Sequence, residues 1–120
     1  MNPCMKVNRM QNKFYARSTS VDGVTFDSRK EAARYRELKL MLRAGEIEDL
    51  RLQVPFELIP RQMDGKRVAE RAVNYIADFV YTENGNTVVE DVKSLATRTP
   101  EYIIKRKLMR WVHGIAVKEV

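Results

Sequence analysis

The chain has 120 residues, 44% hydrophobic and 32% charged, enough for one domain with one core and not for two. A single cysteine, Cys4, excludes an internal disulfide, and with His113 as the only histidine no Cys/His zinc cage can be assembled. The formal net charge of +6 points to a polyanionic partner, while the lack of any membrane-length apolar run or apolar leader leads one to expect a cytoplasmic protein without a membrane partner.

Residues 1–20 are basic and weakly patterned, with Lys6, Arg9, Lys13 and Arg17 and no acid. They read as a flexible arm ahead of a folded domain at 21–120, with Phe14 and Tyr15 as its docking or stacking residues. Val21-Asp22-Gly23-Val24 reads as a tight turn before a short extended piece ending at Phe26. Ser28-Arg29-Lys30-Glu31 fits a capping box, Tyr35, Leu38 and Leu42 form one helical stripe, and Gly45 closes the helix. Glu31 lies in the middle of that stripe. It either reaches back to the Ser28 amide or is aimed at a facing sheet, where a carboxylate is costly unless paired or coordinated.

From Leu52 to Pro60, Val54, Phe56 and Leu58 alternate with Gln53, Pro55 and Glu57, which predicts a half-buried strand toward a sheet edge. Asp64-Gly65 marks a turn. Arg71 to Tyr81 is apolar on both faces, with Val73, Tyr75, Ala77, Phe79 and Tyr81 on one and Ile76 and Val80 on the other. Such a strand is central, and Asp78 sits on its second face. Asn84-Gly85 is the strongest short-range sign of a two-residue type I′ hairpin. In the strand that follows, Asn86 to Lys93, the residues Thr87, Val89, Asp91 and Lys93 share one face and Val88, Glu90 and Val92 the other. Thr99 caps a second helix with Pro100 in its first turn, Ile104, Leu108 and Trp111 as its core stripe, Arg106 and Arg110 opposite, and Gly114 at its end. Ile115 to Val120 reads as a last strand.

The hairpin can be registered by counting. With Glu83 opposite Asn86, Asp78 falls opposite Asp91, about 4.5–5.5 Å apart at Cβ. A three-residue loop would instead set Asp91 beside Phe79; an even loop keeps both acids on a common face. Two carboxylates so placed either share a proton or hold a cation. Mg²⁺ takes hard oxygen ligands and needs few carboxylates. Asp78 and Asp91 are the expected ligands, joined by Glu31 and the Val92 carbonyl, with Lys93 placed to steer water and offset phosphate charge. That set suits phosphodiester hydrolysis. The plain alternatives are an exposed Asp91–Lys93 charged pair worth little and, for Asp78, a buried carboxylate hydrogen-bonded to backbone amides. Glu90 faces away from Lys93 and is expected to support structure. Gln53, Ser94 and Thr97 are candidate substrate contacts, and Lys105, Arg106, Lys107 and Arg110 are candidates for DNA phosphates. His113 suits a helix C-terminus electrostatically.

A helical Glu, an Asp on one strand and Asp-x-Lys on the next resemble the PD-(D/E)XK nuclease superfamily, whose common core is similar to the predicted order of helix, three strands, helix and strand. Val21-Asp22-Gly23, Phe26-Asp27-Ser28 with Glu31-Ala32, Ala77-Asp78-Phe79 and Val89 through Lys93 resemble a group of small phage and prophage proteins within it, over roughly residues 20–120. The resemblance implies an α/β, restriction-endonuclease-like domain with an αβββαβ core, its mixed sheet flanked by two helices. It implies a Mg²⁺-dependent endodeoxyribonuclease (Mn²⁺ substituting) in which Glu31, Asp78, Asp91 and Lys93 are catalytic. Ala77 stands where the superfamily name has proline, and Asp91 where Glu is commoner. By fold-level analogy with Holliday junction resolvases, the expected substrate is branched DNA in phage recombination or replication. The same analogy implies a homodimer in the host cytoplasm. The alternatives are a nickase or genome-processing nuclease acting on duplex DNA, and a non-catalytic DNA-binding module of the same fold.

Overall fold

The computed structural model describes residues 18–120, which fall into two compact units divided after Ala44. Phe14, Tyr15 and the rest of the expected arm to residue 17 lie outside the described residues. Thr19 and Ser20, assigned to that arm, are instead strand.

In the first unit, β1 (Thr19–Val21) and β2 (Val24–Phe26) pair antiparallel, with Thr19 opposite Phe26. The turn residues Asp22 and Gly23 both have positive φ, 53° and 77°, as a type I′ turn requires. Helix α1 (Arg29–Arg43) starts where the sequence says it should. The Ser28 hydroxyl accepts the Glu31 amide at 3.1 Å, and Ala44 caps the far end ahead of Gly45. The helix packs on the hairpin, the Phe26 and Tyr35 rings are 5.0 Å apart, and Ala32 and Leu38 are fully buried.

The second unit contains a four-stranded mixed sheet. Its strands are β3 (Glu48–Ile59), β6 (Val73–Glu83), β7 (Asn86–Asp91) and β8 (Lys118–Glu119), in that spatial order. The first two pairings are antiparallel and the last is parallel. A small hairpin, β4 (Gln62–Asp64) with β5 (Arg67–Glu70), lies between β3 and β6 in the chain. Helix α2 (Pro100–His113) follows β7, with Thr99 as N-cap, Pro100 in its first turn and Gly114 as its left-handed C-cap. The chain is therefore mixed α/β, with two helices among the described residues. β3 is an edge strand, as Pro55 within it requires.

Asn84 and Gly85 have φ of 52° and 79°, the type I′ signature, and Glu83 pairs with Asn86. The register is the one counted from the turn: Val80 opposite Val89, and Phe79 opposite Glu90. Any L side chain at Gly85 is forced into the left-handed region. Gly85→Ala is therefore expected to destabilise the protein by about 1–2 kcal/mol, read from a urea unfolding midpoint.

Two expectations are corrected. Strict alternation fails along β6, because the core cluster takes Tyr75 and Ala77 before Asp78 but Val80 after it, together with Val89. Gln53, across from this point on β3, carries a left-handed φ of 52°, a local distortion that accompanies the change of parity. The phase of α2 also differs from its most obvious apolar stripe. Met109 and Tyr102 are the buried residues of the helix, while Ile104 and Trp111 are 58% and 84% exposed. Tyr102 sets the rotation, since its hydroxyl donates to Glu119 on β8 at 2.7 Å.

Candidate acidic site

β6 and β7 stop pairing at Phe79 and Glu90, one residue short of Asp78 and Asp91. In place of the next ladder bond, the Val92 amide donates to Asp78 Oδ2 at 2.9 Å. Asp78 Oδ1 accepts from Gln53 Nε2 at 3.3 Å, so Gln53 and Val92 hold the carboxylate from both sides. Gln53 reaches it from a backbone conformation few residues adopt in a strand.

Asp91 is 4% exposed and its carboxyl lies in hydrogen-bonding contact with that of Asp78. Burial is the largest cause raising it from an ordinary 3.8 to about 7, followed by the Asp78 hydrogen bond and charge; Lys93 and Tyr75 oppose the rise. Lys93 Nζ stands 3.4 Å from Asp91 Oδ2 and 4.1 Å from the centroid of the Tyr102 ring, a cation–π contact that fixes the ammonium beside the acids. Behind that ring, Glu119 is neutralised by Arg98 at 2.9 Å and Arg106 at 2.8 Å. The Tyr102 hydrogen bond is the first cause holding its carboxyl below the usual range. Glu119 is the cross-strand neighbour of Asp91, and this clamp keeps its charge away from the acid pair.

Tyr75 was not singled out by sequence. Its hydroxyl is buried with no well-formed hydrogen-bond partner, although it lies against Asp91. Burial pushes it far above its ordinary value, so it remains a protonated donor. A buried tyrosine next to an acid strand was the available signal, because such hydroxyls need partners. An orphaned donor beside two touching carboxylates is short of one oxygen, such as the water a hard cation retains. The donor set thus suits Mg²⁺, with each Asp78 oxygen keeping a further lone pair. Among the described residues no group of three or more His, Cys, Asp or Glu side chains forms a metal cluster, so two carboxylates are the core of the set.

The structure therefore brings together Asp78, Asp91, Val92, Lys93 and Gln53. Val92 meets Asp78 through its amide. Glu31 is buried in the first turn of α1, within the first unit. Glu90 turns the other way, is fully buried and accepts the Tyr81 hydroxyl, which matches its expected structural role. Ser94 and Thr97 close a turn on each other, Ser94 N to Thr97 Oγ1 at 2.9 Å. Lys105 pairs with Glu101 at 3.2 Å and Arg106 with Glu119, while Lys107 and Arg110 are exposed. His113 Nε2 lies 2.7 Å from the Glu57 carbonyl, tying the end of α2 to β3. No helix is long and apolar enough to cross a membrane among the described residues.

Residues 11–116 match the profile of one family, described as a protein of unknown function (DUF1064). No curated protein and no solved structure matches the chain.

Proposed function

The chain belongs to the DUF1064 family, and from its acid pair we propose a metal-dependent endodeoxyribonuclease that hydrolyses DNA phosphodiester bonds. The carrying observation is the half-buried Asp78 set beside the buried Asp91, whose carboxyl it helps push up, with the Lys93 ammonium 3.4 Å from Asp91. Surface ion pairs are common and mean little, but a buried acid with a second acid beside it is costly and is kept where it does chemistry.

Asp78 and Asp91 would hold Mg²⁺ or Mn²⁺, which when bound supplies Lewis acidity and an activated water. The rest falls to the chain. Gln53 and the Val92 amide fix the orientation of Asp78, so its free lone pairs are aimed before substrate arrives. Lys93, held between Asp91 and the Tyr102 ring, offsets charge on the phosphate and positions the attacking water. Tyr75 offers its proton to a water oxygen beside Asp91. The motif resemblance adds Glu31 as a further acid, and it supports reading the mixed sheet as a restriction-endonuclease-like core. The preference for branched DNA and the homodimer rest on fold-level analogy alone.

Asp91 with a carboxyl near 7 binds a proton that a cation must displace. Mg²⁺ affinity is therefore expected to rise as pH increases through 7 and to level off above it, which titration calorimetry at pH 6 and pH 8 measures directly.

The deciding experiment incubates the protein with a labelled four-way junction and the matching linear duplex, in Mg²⁺, Mn²⁺ or EDTA. Metal-dependent cutting that is lost in Lys93→Ala and Glu31→Ala supports the site. Symmetric nicks confined to the junction support the branched substrate, and equal cutting of both DNAs points to a general nuclease or nickase. Binding without products in either metal would sink the enzymatic reading and leave a DNA-binding module.

A further inference from the structure

The outer side of α2 carries Ile104, Trp111 and Val112, which are 58%, 84% and 45% exposed, with Leu108 half-buried among them. Their spacing makes one apolar stripe along the helix. Trp is highly buried on average, so an indole standing this far out needs a reason. Lys107, one turn before Trp111, flanks the stripe, and with Arg106 and Arg110 farther round the helix it lines a recess of about 280 Å³ with Ala116 and Val117. Arg106 is committed to Glu119, but Lys107 and Arg110 face outward. The single acid of the helix, Glu101, is about two turns before Lys107 and Arg110 and already bridged by Lys105.

We propose that this face binds a single strand of nucleic acid, with an unpaired base stacked on Trp111 and the neighbouring phosphates held by Lys107 and Arg110 at the recess. An aromatic platform beside a positive groove is how unpaired strands are gripped without sequence preference, since every base has a π-face. Bases inside a duplex are already stacked and do not offer that face. A second copy of the chain fits the stripe less well, because a two-fold contact sets the Lys107 and Arg110 of each copy near the same groups of the other. Trp111 lies nine residues beyond Tyr102, about 14 Å along the helix axis. The helix end that supports Lys93 and the end that would grip the strand are thus opposite ends of one rigid element. This inference names unpaired DNA as the substrate class of the acid site, and rests on the nuclease reading only for the fate of the bound strand.

Trp111 is the only tryptophan, so its fluorescence reports on this face alone. The full chain is titrated with oligothymidine and with a blunt duplex, in EDTA so that nothing is cut. Quenching by the single strand, with little by the duplex, is expected. Labelled-strand anisotropy should then give about tenfold weaker binding for Trp111→Ala, largely restored in Trp111→Phe. Replacing Lys107 and Arg110 by Gln together should flatten the slope of log affinity against log salt by about 1.4. Unchanged emission on a strand that binds, with unchanged affinity in Trp111→Ala, overturns the proposal. So does a blue shift on phosphatidylserine vesicles without any response to oligothymidine, which would make this a membrane-facing helix. A doubling of mass that Trp111→Ala abolishes would make it a self-association surface and overturn the proposal equally. Quenching by a strand that Mg²⁺ never causes to be cut upholds this face and removes the nuclease reading; cutting without quenching does the reverse.

Discussion

Asp91→Asn is expected to abolish Mg²⁺-dependent cleavage, by about 10³-fold or more, and at the same time to make the folded protein more stable at pH 8. The first effect follows from removing half of the carboxylate pair, where the charge stabilisation at stake is several kcal/mol, each 1.36 kcal/mol being tenfold in rate. The second follows from linkage. The Asp91 carboxyl is raised to about 7 in the folded chain from an ordinary 3.8. Between those values the folded state holds a proton that the unfolded state has released, so this group makes stability fall as pH rises from about 4 to 7, with no further loss above. Asparagine has no proton to lose. Its advantage should therefore be absent at pH 4 and reach about 1–3 kcal/mol at pH 8, moderated by the lost contact with Lys93. Unfolding curves at the two pH values, alongside the cleavage assay, test both halves. A mutant less stable than the parent at pH 8 would show that the pair is an ordinary ion network.

Met109→Ala should cost about 2–5 kcal/mol of stability, while Trp111→Ala changes it by no more than about 0.5 kcal/mol. The contrast is unusual, since the larger side chain is the dispensable one. Met109 is fully buried in the core cluster with Leu58, Tyr75 and Val89, and removing it leaves a cavity against β6 and β7. Trp111 is 84% exposed and its removal opens nothing. Thermal or urea unfolding of the two variants separates the two possible rotations of α2. Equal, large losses would mean that the stripe through Trp111 is core after all.

These two residues also show what the sequence can and cannot convey. Caps and turns are local chemistry. Ser28, Thr99, Gly114 and Asn84-Gly85 each satisfy or free a backbone group within a few residues, and each sits where the sequence places it. The register that opposes Asp78 and Asp91 comes from one such turn. Helix phase is not local. Ile104, Leu108 and Trp111 are as periodic as the true core positions, and only contacts from distant segments, the Tyr102 hydroxyl on Glu119 and Met109 under the sheet, decide between them. Of the β4–β5 hairpin only the Asp64-Gly65 turn is legible: every residue in both strands is exposed, so no alternation marks them. Tyr75 belonged on paper to the face of Ala77 and Phe79. The change of parity along β6 at Asp78 turns its hydroxyl onto Asp91 instead.

That change of parity has its counterpart at Gln53, where a glutamine occupies a left-handed backbone conformation inside a strand. For any L residue other than Asn or Asp the position carries a penalty of about 1–2 kcal/mol, and glycine would relieve it. Drift under selection for stability alone would run toward glycine. Here the side-chain amide of Gln53 faces an intact Asp78, and the strain is kept for the sake of the carboxylate it orients. The pairing should break down only in lineages that have also lost Asp91, so among relatives this strand position separates working copies of the site from decayed ones.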